Sequence, residues 1–168
     1  MQSAREHEPP MPEPLAHFLT WATYGTWLPG DERGWIEYRR GWQLPDPARK
    51  LEAEAKMTED ACRLDADQRR LVEQQVAETC AIRGWQLHAV NCRSNHVHVV
   101  VTAAVRKIEL PREQFKAWCT RRLKEREQSA ASAVRESWWT ERGWDEYIDD
   151  EEALAIVIAY VREGQEKR

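Results

Sequence analysis

Asn95-His96-Val97-His98-Val99-Val100-Val101 is the stretch from which the rest of the chain can be read. A run of β-branched valines suits an extended strand, whose side chains alternate between its two faces. His96 and His98 therefore share one face, and Val97 and Val99 share the other. Two imidazoles so spaced can ligate one cation together. The same alternation also suits a strand with two polar positions turned to solvent, and the tripeptide by itself does not choose.

Reading outward, WQLHAV (85–90) forms a second strand joined to the first through NCRSN (91–95), whose Asn and Ser residues favour a turn. Before it comes a helix with Thr58 as N-cap, Glu59 and Asp60 in its first turn, and Leu64, Leu71, Val72, Val76 and Ile82 at helical spacing. Gly84 is its C-terminal cap; the reciprocal capping box is missing, since Ala61 stands three residues after Thr58. HFLTWATYGTW (17–27) reads as another strand, stopped by the turn residues Pro29, Gly30 and Gly34. Residues 31–57 are irregular and Pro-interrupted, an inserted loop with room for a short helix. The acidic, Pro-rich residues 1–15 read as a disordered tail, which leaves 16–168 as a single domain. Downstream lie a helix over about 106–128 with Pro111 as an early turn or break, a small polar linker (129–134), and one or two short strands within 138–148. A last helix over 151–165 is capped by Asp149 or Asp150. This order of elements predicts an α+β fold, an antiparallel sheet with helices packed on it.

A chain of 168 residues, 42% hydrophobic and 32% charged, is that of an ordinary soluble domain with a full core. Nine Trp are many for this length and mark core anchors or stacking platforms. Trp21, Tyr24, Trp27, Trp35 and Trp42 crowd the first strand and the insertion; core packing is the favoured role for most, with stacking on single-stranded DNA the alternative. His17 and His88 have no partner pattern and read as structural or surface residues. A net charge of −4 argues against nucleic-acid binding by the whole surface, though not against a local basic groove. Residues 106–126 hold such a group, eight Lys and Arg against three Glu. Arg112, Lys116, Arg121, Arg122 and Lys124 are its candidates for phosphate contact, while a solvated helical face is the alternative. Phe115, Trp118 and Leu123 are expected to face the core. The four cysteines are isolated and form no CxxC pair, so no structural zinc is expected. The longest apolar run, ALAIVIAYV (153–161), is too short to span a bilayer, and the acidic, Pro-rich first residues lead us to expect no secretion signal. The expectation is a reduced, cytoplasmic protein with no membrane partner.

Set in NHVHVVV with hydrophobic flanks, His96-Val97-His98 resembles the HUH signature of single-strand nucleases and transposases. The chain is similar in particular to the single-tyrosine transposases, and among them to the branch associated with repetitive extragenic palindromes (REP). HFLTWATYGTWLPGD near the start, SNHVHVVV in mid-chain, a basic helix and a terminal helix carrying Tyr160 follow in that family's order, over residues 18–165. The resemblance implies a ferredoxin-like (RRM-like) sheet, the HUH nuclease fold. It implies Mg²⁺ or Mn²⁺ on His96, His98 and a third polar ligand, with Tyr160 as the nucleophile that forms a 5′-phosphotyrosine and frees a 3′-hydroxyl. It also implies a single-stranded or hairpin DNA partner, a monomer or homodimer, and a nucleoid-associated location. For the third ligand the sequence departs from the pattern. The family places Asn or Gln four residues after the tyrosine, where this chain has Gly164; Gln165 matches by type and Glu163 by helical phase. A domesticated relative that binds hairpin DNA without cutting it is the alternative function. Histidine-based nucleotide hydrolases need a third alternate histidine, here Val100, and two-motif phosphoesterases need a repeated His-x-Thr/Ser that is absent.

Overall fold

The computed structural model describes residues 13–130 and 133–163. Strand β1 (Ala16–Ala22) leads to a hairpin of β2 (Trp35–Glu37) and β3 (Gly41–Gln43), then to helices α1 (Pro47–Ala55) and α2 (Ala66–Arg83). β4 (Gln86–Cys92), β5 (His96–Thr102), α3 (Glu109–Ser129), β6 (Trp144–Ile148) and α4 (Glu151–Glu163) follow. The main sheet runs β4-β5-β1-β6 with every neighbouring pair antiparallel. Apart from the inserted hairpin, α1 and the terminal α4, the order is strand, helix, two strands, helix, strand, which is the ferredoxin-like arrangement.

Local chemistry accounts for the boundaries, including some that differ from the sequence reading. α2 begins eight residues after Thr58, because Asp65 and Gln68 make the reciprocal capping box that Thr58 lacks. Thr58 instead donates its backbone N–H to the Tyr24 hydroxyl at 2.9 Å. Leu64 is buried from the loop, and Ile82, counted in the apolar stripe, is exposed. Gly84 caps α2 in the left-handed region at φ 70°, as its position indicated. The insertion holds the short helix it has room for and, beyond that expectation, a hairpin. Ile36 pairs with Trp42 across its hairpin, and Asp46 caps α1 with Pro47 at the first helical position. Gly30 ties this insertion down: at φ 88° it has no room for a side chain, since a Cβ would meet the Asp46 carbonyl at 2.2 Å. Pro111 sits in the first turn of α3, where an N–H has no helical acceptor, and so causes no break. Residues 1–12 of the expected tail lie outside the described residues.

Each face of the sheet is covered differently. Leu19, Trp21, Val97, Val99 and Val101 pack with Val72, Val76 and Cys80 of α2 and with Phe115, Cys119 and Leu123 of α3. Trp118 departs from its expected core position: it is 39% exposed, with Arg121 over its ring. The opposite face carries Ala16, Ala89, Val100 and Ile148, covered by Val161 and its neighbours on α4. All four cysteines are free and buried, and burial raises their thiols, Cys80 to about 11 and Cys92 to about 12.

His17 is also buried, registered between Val101 and Tyr147. Desolvation lowers its imidazole below the ordinary 6.5. The unfolded chain therefore takes up a proton that the native fold rejects, so stability is greatest above about pH 6.5 and declines as pH falls below it. His88 and His98 act in the same direction. In urea melts at pH 7.5 and 5.5, His17→Leu is expected to lose less stability between the two than the wild type; equal losses would show that His17 is not a contributor.

Candidate active site

The geometry of the site starts from strand register. On β5, His96 and His98 lie on the face opposite Val97 and Val99, and their rings meet at 4.7 Å between centroids and 72° between planes. Thr20, the register partner of His98 on β1, has its hydroxyl 2.8 Å from His98 Nδ1. His96 Nδ1 donates to the Asn95 side-chain carbonyl at 2.7 Å. A neutral ring that donates from Nδ1 carries its lone pair on Nε2, the usual arrangement behind a metal-ligating histidine. Burial pushes the His98 imidazole down to about 3, assisted by the nearby His96 and Arg93. His98 is thus held neutral, the form that can ligate a cation.

α4 brings the phenol. Asp150 is its cap, accepting from the Ala153 N–H at 2.7 Å. Leu154, Val157, Ile158 and Val161 press on the apolar half of the sheet. Two polar contacts then fix the end of the helix: Asn91 Nδ2 donates to the Val161 carbonyl at 3.0 Å, and Arg162 to the His88 carbonyl at 2.8 Å. Asn91 is the register partner of His98 on β4, so the latch and the imidazole stand in one cross-strand row. Tyr160 lies at the margin of the packed side, 48% exposed. Its ring meets Phe18 edge-on at 6.3 Å and stands 5.8 Å from the His98 ring. The other tyrosines are elsewhere. Tyr24 is bonded to Thr58, Tyr38 lies under Arg142, and Tyr147 packs against His17 on the far face.

Gln165 lies outside the described residues. Glu163 ends α4 exposed, and among the described residues no three His, Cys, Asp or Glu side chains gather to hold a metal ion. The five basic candidates are on α3, which covers the face opposite the histidines, and none of them meets the pair. Arg112 is buried in an ion pair with Asp145. Lys116 donates to the carbonyls of Thr140 at 2.6 Å and Glu141 at 3.2 Å, and burial lowers its ammonium to about 8. Both cations therefore serve the fold. Arg121, Arg122 and Lys124 face Glu125, Glu78 and Glu136 at 3.1, 3.3 and 2.7 Å. Sequence reasoning missed Thr20 and Asn91, since only strand register reveals them. The sole available hint was that each is a polar residue within an apolar strand.

No protein-family model matches the chain, and no curated protein aligns with it. Among solved structures it is similar to a REP-associated tyrosine transposase bound to a REP hairpin, with a TM-score of 0.51 and 11% identity over 93% of this chain and 69% of that one. A putative transposase from Deinococcus radiodurans R1 gives a TM-score of 0.45 and 13% identity, over 93% of this chain and 95% of that one. At such identity the first likeness establishes a common fold.

Two variants test this account of the site's framework. Asn91→Ala removes a hydrogen bond worth about 1 kcal/mol, so the α4 amides should exchange hydrogen several-fold faster while those of α2 keep their rate; unchanged exchange in α4 would dismiss the latch. Arg112→Met leaves Asp145 buried and alone, at a cost of about 3–5 kcal/mol. The double variant Arg112→Met/Asp145→Leu should regain most of that in denaturant melts, and a double variant as unstable as the single would count against the pair.

Proposed function

We propose that this chain is a single-tyrosine DNA strand transferase, in which Tyr160 cuts and rejoins single-stranded DNA beside a hairpin. The observation that carries this reading is the meeting of three rings on one sheet face: His96 against His98, and His98 against a half-exposed Tyr160 on the final helix. Hairpin DNA as the partner is supported by the shared fold, since that structural relative is bound to a REP hairpin.

In the proposed reaction the Tyr160 oxygen attacks the phosphorus of a phosphodiester. A bond from that oxygen to phosphorus forms as the bond from phosphorus to the 3′ oxygen breaks. The phenol proton is lost to solvent, to which the half-exposed ring is open, and the departing 3′ oxygen takes up a proton. A different 3′-hydroxyl attacking the phosphotyrosine reverses these events, restores the phenol and joins a new strand. One phosphoester replaces another at each step, so no external energy source is needed.

Phe18 holds the ring of Tyr160 edge-on, which limits the directions from which its oxygen can approach. Asn91 and Arg162 keep the end of α4 against β4. Thr20 and Asn95 orient the imidazoles, and two imidazole nitrogens on one face fit a divalent cation. Mg²⁺ or Mn²⁺ held by His96 and His98, with Gln165 as the proposed third ligand, would supply charge neutralisation at the phosphate. Imidazole donors favour Mn²⁺ of the two.

Incubation of the full chain with a labelled single-stranded hairpin and Mn²⁺ is expected to give a covalent protein–DNA adduct on a denaturing gel. Tyr160→Phe should form none. His96→Ala should also form none while binding the hairpin within a few-fold of wild type, because backbone contacts supply most of the affinity. Tight binding with no adduct from the wild type would identify a non-cutting hairpin binder instead, and an adduct that survives in Tyr160→Phe would move the nucleophile elsewhere.

A further inference from the structure

On α3, which lies on the face opposite the histidines, Arg121, Arg122, Lys124 and Arg126 each face a carboxylate. Arg39 and Arg142 differ. Neither forms an ion pair among the described residues, and both hold their guanidinium over the ring of Tyr38, at 5.2 and 3.6 Å. Tyr38 follows β2 in the inserted hairpin and is 58% exposed, as is Trp42 on β3. Trp42 shares its face of the hairpin with its partner Ile36, itself 48% exposed, while Trp35 is turned inward.

This patch is continuous in sequence with the histidine-bearing face. Two residues after Arg142 comes Trp144, which is 46% exposed and pairs with Thr20, the residue that also pairs with His98. Residues in register share a face, so Trp144 stands on the histidine side of the sheet, two strands or roughly 10 Å from His98. Arg142 thus links the exposed ring of Trp144, which stands in the His98 row, to Tyr38 in the insertion.

We propose that this is a track for the unpaired DNA flanking the bond cut at Tyr160, with bases stacked on Trp144 and Trp42 and phosphates met by Arg142 and Arg39, which the ring of Tyr38 holds in place. It rests on the reading of the chain as a single-strand DNA enzyme. Aromatic faces stack any base, so the track is tolerant of sequence. A guanidinium lying on a ring keeps its in-plane N–H groups for phosphate oxygens. With no carboxylate to displace, Arg39 and Arg142 are already arranged for an anion.

The test measures, by fluorescence anisotropy on the full chain, the affinity for a G·C-rich stem-loop with an oligo-dT flank and for the same stem-loop without it. Trp144→Ala should weaken the flanked DNA by roughly tenfold or more, and Tyr38→Ala should weaken it as well, both leaving the blunt stem-loop unchanged. Arg142→Gln should reduce the salt slope for the flanked DNA by about one. Should Tyr38→Ala fold poorly, Arg142→Gln and the ring-preserving Tyr38→Phe, expected to bind like wild type, still decide the matter. Wild-type affinity for the flank in all three disruptive variants overturns the track, and if the wild type still forms its adduct the Tyr160 reading survives. Equal weakening of both DNAs overturns it as well. A change from dimer to monomer in sedimentation with flank affinity intact would assign the face to a second copy and overturn it. A wild type that neither binds nor cuts DNA removes both proposals.

Discussion

The register of β5 is the constraint on which the rest of the molecule depends. Val97, Val99 and Val101 are fully buried beneath α2 and α3, each worth roughly 1.5–3 kcal/mol of burial. A slip of one residue would turn all three outward and drive both histidines into the layer filled by Phe115 and Leu123. Hydrophobic packing on one side of the strand thereby fixes the position of polar chemistry on the other. Thr20 and Asn91 come to His98 by the same rule, as its partners on the flanking strands.

The second face of the sheet is divided rather than covered. α4 closes the part formed by Ala16, Ala89, Val100 and Ile148, and its packed side ends where Phe18, His98 and Tyr160 meet. A group at such a margin is desolvated by one neighbour and reachable past another. That accounts for a strongly depressed His98 beside a half-exposed phenol. The helical layer on the other side is electrostatically self-sufficient. Arg112 is neutralised inside by Asp145, and the outer cations of α3 lie against Glu78, Glu125 and Glu136.

Much of this framework was legible because it follows from local periodicity. The alternation in 96–101, the apolar composition of 17–22 and the glycine after Arg83 each act within a few residues of where they are read. Other features involve partners distant in sequence. Two residues, Thr58 and Asp65, could cap α2 by type, and the reciprocal bond from Gln68 distinguishes them. The inserted hairpin is shaped by Trp42 lying over Gly34 and by Arg142 over Tyr38, contacts with no short-range signature. The sequence of α3 shows a surplus of positive charge, but Glu78, Glu136 and Asp145, which face its cations, belong to other segments. The chemical identity of the two histidines was visible at once; what surrounds them became readable only with strand pairing.

The four cysteines give the molecule a practical property. Each sulfur is enclosed in the core as a protonated thiol, the least nucleophilic state available to it. The native fold is therefore nearly silent towards maleimides and iodoacetamides. A single cysteine placed on the outer side of α4 would be the one quickly labelled position, and a dye there would follow the helix that carries the phenol without the background removed from most proteins by mutagenesis.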